Sequence, residues 1–135
     1  NTWRQKLNLV WDKMLNLNIF RKKVYDKEME FYKTKHNTYG LPLESRSDYT
    51  KSDWILWTAT VTESPEDFKK FIEPVYLFAI ESEDRVPLTD WHYTSRANME
   101  GFQARSVVGG FFIKSLFEVW KQREVALVEE VGEEK

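Results

Sequence analysis

The 135-residue sequence has no cysteine, which excludes disulfides, a thiolate zinc site and a cysteine nucleophile. It also lacks a basic stripe. Its 20 basic and 22 acidic residues are interspersed and leave a net charge of −2, so the electrostatic footprint of a nucleic-acid binder is missing. No apolar run approaches the roughly 20 residues of a membrane span, and nothing resembles a signal peptide. Gly-x-Ser-x-Gly, His-Glu-x-x-His and glycine-rich phosphate loops are absent. The expectations that follow are no nucleic-acid partner, no membrane partner, no metal and no cofactor.

The chain is rich in aromatic rings, with six Trp, nine Phe and six Tyr. Bulky rings dominate core and interface energetics, and a short chain buries a smaller share of its surface than a long one. Some rings are therefore expected to face other parts of a larger protein or a second copy. The chain opens at Asn1 with a helical pattern almost at once, as a segment of a longer polypeptide would.

Apolar spacing predicts five principal helices, at about residues 4–18, 21–36, 51–62, 65–81 and 106–125. In the first, Leu7, Val10, Trp11, Met14 and Leu15 form one stripe. Tyr25, Met29 and Tyr32 do so in the second, which Gly40 and Pro42 stop. Thr50 and Asp53 have capping-box spacing ahead of Trp54 to Val61, a run apolar on nearly every side, as in a buried inner helix. Ser64-Pro65-Glu66-Asp67 is a strong helix start, and Pro74 removes a backbone donor from that helix and should kink it. From about Glu83 to Arg105 the periodicity disappears for some twenty residues, a loop length that is uncommon unless functional. In the last helix Gly109 and Gly110 suit close approach of a neighbour. Glu129 to Lys135 reads as a frayed acidic tail. The fold class expected is all-α, with helical hairpins and no sheet of consequence.

Several motifs occur in order: Leu15-Asn16-Leu17, Tyr32-Lys33-Thr34-Lys35, and Gly40-Leu41-Pro42-Leu43-Glu44-Ser45-Arg46. They continue with Tyr49-Thr50-Lys51-Ser52-Asp53-Trp54, Val86-Pro87-Leu88-Thr89-Asp90-Trp91, and Gly101 through Gly110. Together they resemble the C-terminal domain of the glutaminase A family. The resemblance implies residues 1–128 as part of an α/α six-hairpin toroid, with residues 129–135 as the tail. It also implies a secreted or periplasmic protein and hydrolysis of glutamine to glutamate and ammonia. The Ser-x-x-Lys pair of serine-type glutaminases is missing. A toroid of this kind is also used by carbohydrate-active enzymes, and fold does not settle function.

Three constellations carry chemistry. In the first, Arg46 or Lys51 would take the α-carboxylate of an amino acid and Asp48 its amine, with Tyr49 beside them. Asp53 is a catalytic carboxylate or a helix cap. In the second, Asp90 lies beside Trp91, His92 and Tyr93, a carboxylate among rings that reads as catalytic or as a turn cap with a core tryptophan. His92 is a natural general base by type, whereas His36, at a helix end, is explained by the dipole. In the third, Gln103 and Arg105 precede a helix start that suits an anion, or Arg105 ties down a loop.

The reading is thus a helical part of a glutaminase A-like amidohydrolase whose rim loops contribute to a substrate cleft. Asp90 and Asp53 are the catalytic residues. Arg46, Asp48, Tyr49, Lys51, Trp91, His92, Gln103 and Arg105 bind the substrate, an amino acid or a sugar. The alternatives are a glycoside-hydrolase-like toroid using Asp53 and Asp90 and a non-catalytic scaffold. The segment alone is expected to be inactive and to associate with the rest of its parent or with itself.

Overall fold

The computed structural model describes residues 2–133, with side chains through residue 129. The elements run α1 (Leu9–Met14), α2 (Lys22–Lys33), β1 (Tyr49–Lys51), α3 (Ser52–Thr60), α4 (Pro65–Glu81), β2 (Thr89–Tyr93) and β3 (Met99–Gln103). A 3-10 helix (Ser106–Phe112) then leads into α5 (Ile113–Glu133). The acidic stretch expected as a tail from Glu129 continues α5 as far as Glu133, and residues 134 and 135 lie outside the described residues.

The all-α expectation is overturned by a three-stranded antiparallel sheet of order β1-β2-β3. Tyr49, Thr50 and Lys51 pair with Tyr93, His92 and Trp91, and Thr89, Trp91 and His92 pair with Gln103, Gly101 and Met99. The stretch expected to be an irregular loop is mostly this β2–β3 hairpin. Aromatic and β-branched residues in Thr89–Tyr93 favour a pleated surface. Phe102 and Ala104 both have φ of +55°, a backbone that neither helical nor alternating periodicity announces.

The helix reading needs smaller corrections. α1 is much shorter than expected, because Asn16 and Asn18 take φ of +50° and +57° and turn the chain, leaving Leu15 exposed. Ahead of α1 the chain is extended, and the Gln5 amide donates to the Leu43 carbonyl at 2.8 Å. The Thr50–Asp53 capping box does not form. Lys51 is the N-cap of α3 without a side-chain bond, while the Thr50 hydroxyl accepts from the Gln5 amide nitrogen at 3.4 Å. The Ser64 cap does form, its hydroxyl accepting from the Asp67 N–H at 3.1 Å, and α4 continues through Pro74. The last helix divides into a 3-10 turn and α5; Ile113 and Phe117 are buried, while Phe112, Leu116 and Trp120 are exposed.

α3 is the centre of the molecule. Ile55, Leu56 and Ala59 pack with Val10 and Met14 of α1, Met29 and Tyr32 of α2, Phe71 and Val75 of α4, and Ile113 and Phe117 of α5. A helix apolar on nearly all sides can only be stable when covered this way. The sheet covers its N-terminal end, which brings β1, β2 and the 3-10 helix together around Ser52 and Asp53.

Candidate functional site

The sheet register sets the site. Lys51 lies opposite Trp91, so the two side chains share one face of the sheet. The Lys51 ammonium sits 4.6 Å from the Trp91 ring centre and 4.3 Å from that of Phe102. Phe102 stacks on Trp91 with centroids 5.0 Å apart, and Tyr49 meets Trp91 edge to face at 5.4 Å. On the opposite face Thr50 and His92 form another register pair, both fully buried.

Asp90 is the anchor of this centre. Its carboxylate is 1% exposed, and it accepts from Arg105 at 2.7 and 3.1 Å and from Lys51 at 3.3 Å. Burial alone would push its pKa up; the Arg105 hydrogen bonds and the Lys51 charge outweigh that and hold it below the usual carboxylate range. The bidentate guanidinium fork is the strong form of such a pair. Arg105 also lies over the Phe102 ring at 4.2 Å and is 39% exposed, so it forms the solvent rim of the centre. Burial pushes the Lys51 amine down, opposed by Asp90 and reinforced by Arg105.

Asp53, in the first turn of α3, is a different carboxylate. Burial pushes its pKa up, and the Asp90 charge pushes it further, against the Trp54 N–H, its own N–H and Lys51. Its Oδ1 is buried without a hydrogen-bond partner. A carboxylate with an unpaired oxygen and a raised pKa is suited to exchanging protons, whereas one held by two cations is not. The two acids that the sequence presents as equivalent therefore differ in chemistry.

The remaining expected site residues lie apart from this centre. Arg46 is exposed and pairs with Glu44, at 2.7 and 2.8 Å, away from Asp90 and Lys51. Asp48 accepts from the Ser95 hydroxyl and stands 3.9 Å from Arg96. Gln103 donates to the Pro87 carbonyl at 3.0 Å. His92 is sealed in the core: it stacks on Phe78 at 4.0 Å, its Nε2 is 2.9 Å from the Tyr39 carbonyl oxygen, and burial lowers its pKa to about 4. His36 lies past the end of α2 and packs edge-on against Phe71, and burial lowers its pKa to about 4. A neutral ring of this kind cannot interact with the helix dipole as a cation, so burial and not the dipole accounts for it. Among the described residues no group of three or more His, Cys, Asp or Glu is arranged to hold a metal ion.

Phe102 and Trp57 join the site without having been singled out. Trp57 lies four residues after Asp53, hence on the same face of α3, and that spacing is the signal that points to it. Gly110 closes over both residues. A Cβ there would lie 2.9 Å from Trp57 Nε1 and 3.1 Å from Asp53 Cβ.

The helices packed around a buried α3, with a small sheet and a charged centre at its N-terminal end, make a mainly helical domain. Residues 1–115 match the family described as "Glutaminase A six helical-hairpin domain", and the chain belongs to the glutaminase A family. It is 38% identical over 109 residues to "Glutaminase A" of Aspergillus oryzae, covering 78% of this chain and 16% of that protein. It is 36% identical over 94 residues to a "Probable glutaminase" of Arthroderma benhamiae, covering 67% of this chain and 11% of that protein. The chain thus spans only a small part of the length of these relatives. No solved structure matches it.

Proposed function

We propose that this chain supplies the charged rim of a substrate cleft to a glutaminase, with the rest of the cleft contributed by the parent polypeptide. The observation that carries the reading is the pairing of unlike carboxylates: Asp90 saturated by Lys51 and Arg105, and Asp53 beside it with an unpaired oxygen. The family and the names of its relatives support glutamine as the substrate. In this reading the parent protein is secreted or periplasmic, as the family resemblance implies.

Two cations, Lys51 and Arg105, converge on the Asp90 carboxylate. Arg105 at the rim, with Lys51 behind it, then suits the α-carboxylate of an amino acid. Trp91 and Phe102 give the aliphatic part of the substrate an apolar wall. For hydrolysis, the ionised Asp53 takes a proton from water as its oxygen attacks the side-chain amide carbon. The C–N bond of the tetrahedral intermediate then breaks as Asp53 returns the proton to the leaving nitrogen, giving ammonia and a carboxylic acid.

A sugar-cleaving centre with Asp53 and Asp90 as paired acids is less well supported, because Asp90 has no free oxygen with which to act. The test is a parallel assay of the full-length parent on L-glutamine and on a panel of glycosides. Ammonia release from glutamine with no glycoside cleaved is the expected result; cleavage of a glycoside with no ammonia released overturns the reading.

A further inference from the structure

Four buried polar atoms around the centre have no partner: Ser52 Oγ, Trp91 Nε1–H, Trp57 Nε1–H and Asp53 Oδ1; the last two, a donor and an acceptor, lie together under Gly110. Native interiors leave few such groups, and each calls for an explanation. These two belong to residues one turn apart on α3 and abut the same glycine, Gly110. Trp57 is held in place by Trp11, which meets it edge to face at 5.2 Å. A fixed donor beside a fixed acceptor matches the donor and acceptor of a primary carboxamide, whose oxygen accepts while its nitrogen donates.

Gly110, which abuts Trp57 Nε1 and the Asp53 Cβ, belongs to the segment Ser106–Phe112, seven residues of 3-10 helix. Runs of that length are uncommon and mark hinges or strained sequence. The segment contains Gly109, where an added Cβ would point into open space, and Gly110, where a side chain would collide with Trp57. It is tied to the site at its start, where Arg105 grips Asp90, and at its end it exposes Phe112, which is 70% accessible.

We infer that Trp57 and Asp53 form the binding site for the substrate's side-chain carboxamide, with Trp57 Nε1–H on the amide oxygen, Asp53 Oδ1 on the amide nitrogen, and residues 106–112 as the lid over them. This rests on the glutaminase reading and deepens it. The indole N–H then faces the oxygen on which negative charge develops during water attack, a donor whose contact strengthens in the transition state. Asp53 already lies on the nitrogen that leaves, so the returned proton has no distance to travel. When the lid segment opens, Arg105 remains on Asp90, so that the α-carboxylate and the carboxamide are held from two sides.

The test uses the full-length parent and its ammonia release from L-glutamine. Trp57→Phe keeps an aromatic ring and removes the N–H; kcat/KM is expected to fall at least tenfold, mainly through kcat. Trp57→His, which restores a ring N–H, is expected to recover part of that loss. Trp57→Phe removes an unpartnered donor but also leaves part of the indole volume empty, so its melting temperature without substrate is measured to confirm that the variant is folded. Should Trp57→Phe fail to fold, Gly110→Ala is measured in its place, with the same tenfold loss expected from a methyl group driven against Nε1. A loss below tenfold in the folded variant overturns the amide contact. A wild-type parent that releases no ammonia, or an Asp53→Asn variant at the full rate, defeats instead the functional reading beneath it.

Discussion

At the scale of single residues, the centre turns on how one buried charge is compensated. Asp90 has its two cations and no solvent. Removing one partner of a buried ion pair leaves the other uncompensated and costs about 3–5 kcal/mol. Asp90→Ala is therefore expected to lower the unfolding free energy of the parent's domain by about that amount, as read from denaturant midpoints; a change within about 0.5 kcal/mol would show the pair to be dispensable. The two histidines make a second prediction. Burial lowers both to about 4 from the usual 6.5, so the fold prefers them neutral while the unfolded chain takes up protons near 6.5. Their contribution is fully present above about pH 6.5 and is lost as the pH falls toward 4, at about 1.4 kcal/mol per pH unit for each. His92→Phe should flatten this acid slope when stability is followed from pH 7 to 4.5; an unchanged slope would contradict it. Residue types announced these groups in the sequence, but not their partners. His92 looked like a base because imidazole titrates near neutrality, and only its stacking on Phe78 shows that it is sealed away.

At the scale of elements, helices with a complete apolar stripe or a strong cap were legible, and the sheet was not. α3 announces itself because a run such as Trp54-Ile55-Leu56-Trp57 must be covered on all sides, and α4 because Ser64 and Pro65 open it with correct cap chemistry. The β2–β3 hairpin escapes detection for two reasons. Its strands are five residues each, and Phe102 bends back at positive φ to stack on Trp91 where alternation would have pointed it elsewhere. The proximity of Lys51 and Asp90 consequently comes from strand pairing. The turn that delivers the chain from α2 to β1 depends on Gly40, whose φ is +131° and whose missing Cβ would lie 2.9 Å from the Ile55 side chain. Gly40→Ala both strains the backbone and overpacks the core, with an expected cost of about 1–3 kcal/mol. A denaturation midpoint unchanged from wild type would contradict this account of the turn.

At the scale of the whole molecule, several large apolar side chains are exposed next to one another, and contiguous apolar patches mark interaction surfaces. Phe112, Leu116, Val119 and Trp120 are exposed along one side of the 3-10 helix and α5, and Tyr76 and Ile80 are exposed on α4. The chain covers only 16% of the Aspergillus oryzae relative, and we propose that these faces pack against the rest of the parent. Expressed alone, the chain is expected to self-associate and to bind an apolar dye; a clean monomer at high micromolar concentration that binds none would count against this. The central claim, that Asp53 carries the proton while Asp90 holds the cations in place, is tested most directly by the rate of ammonia release from L-glutamine by the full-length parent carrying Asp53→Asn. With the fold intact and substrate saturating, the rate should fall at least a hundredfold, in line with the roughly 10²–10⁴-fold contribution of a positioned acid–base group. A rate within threefold of wild type would contradict it.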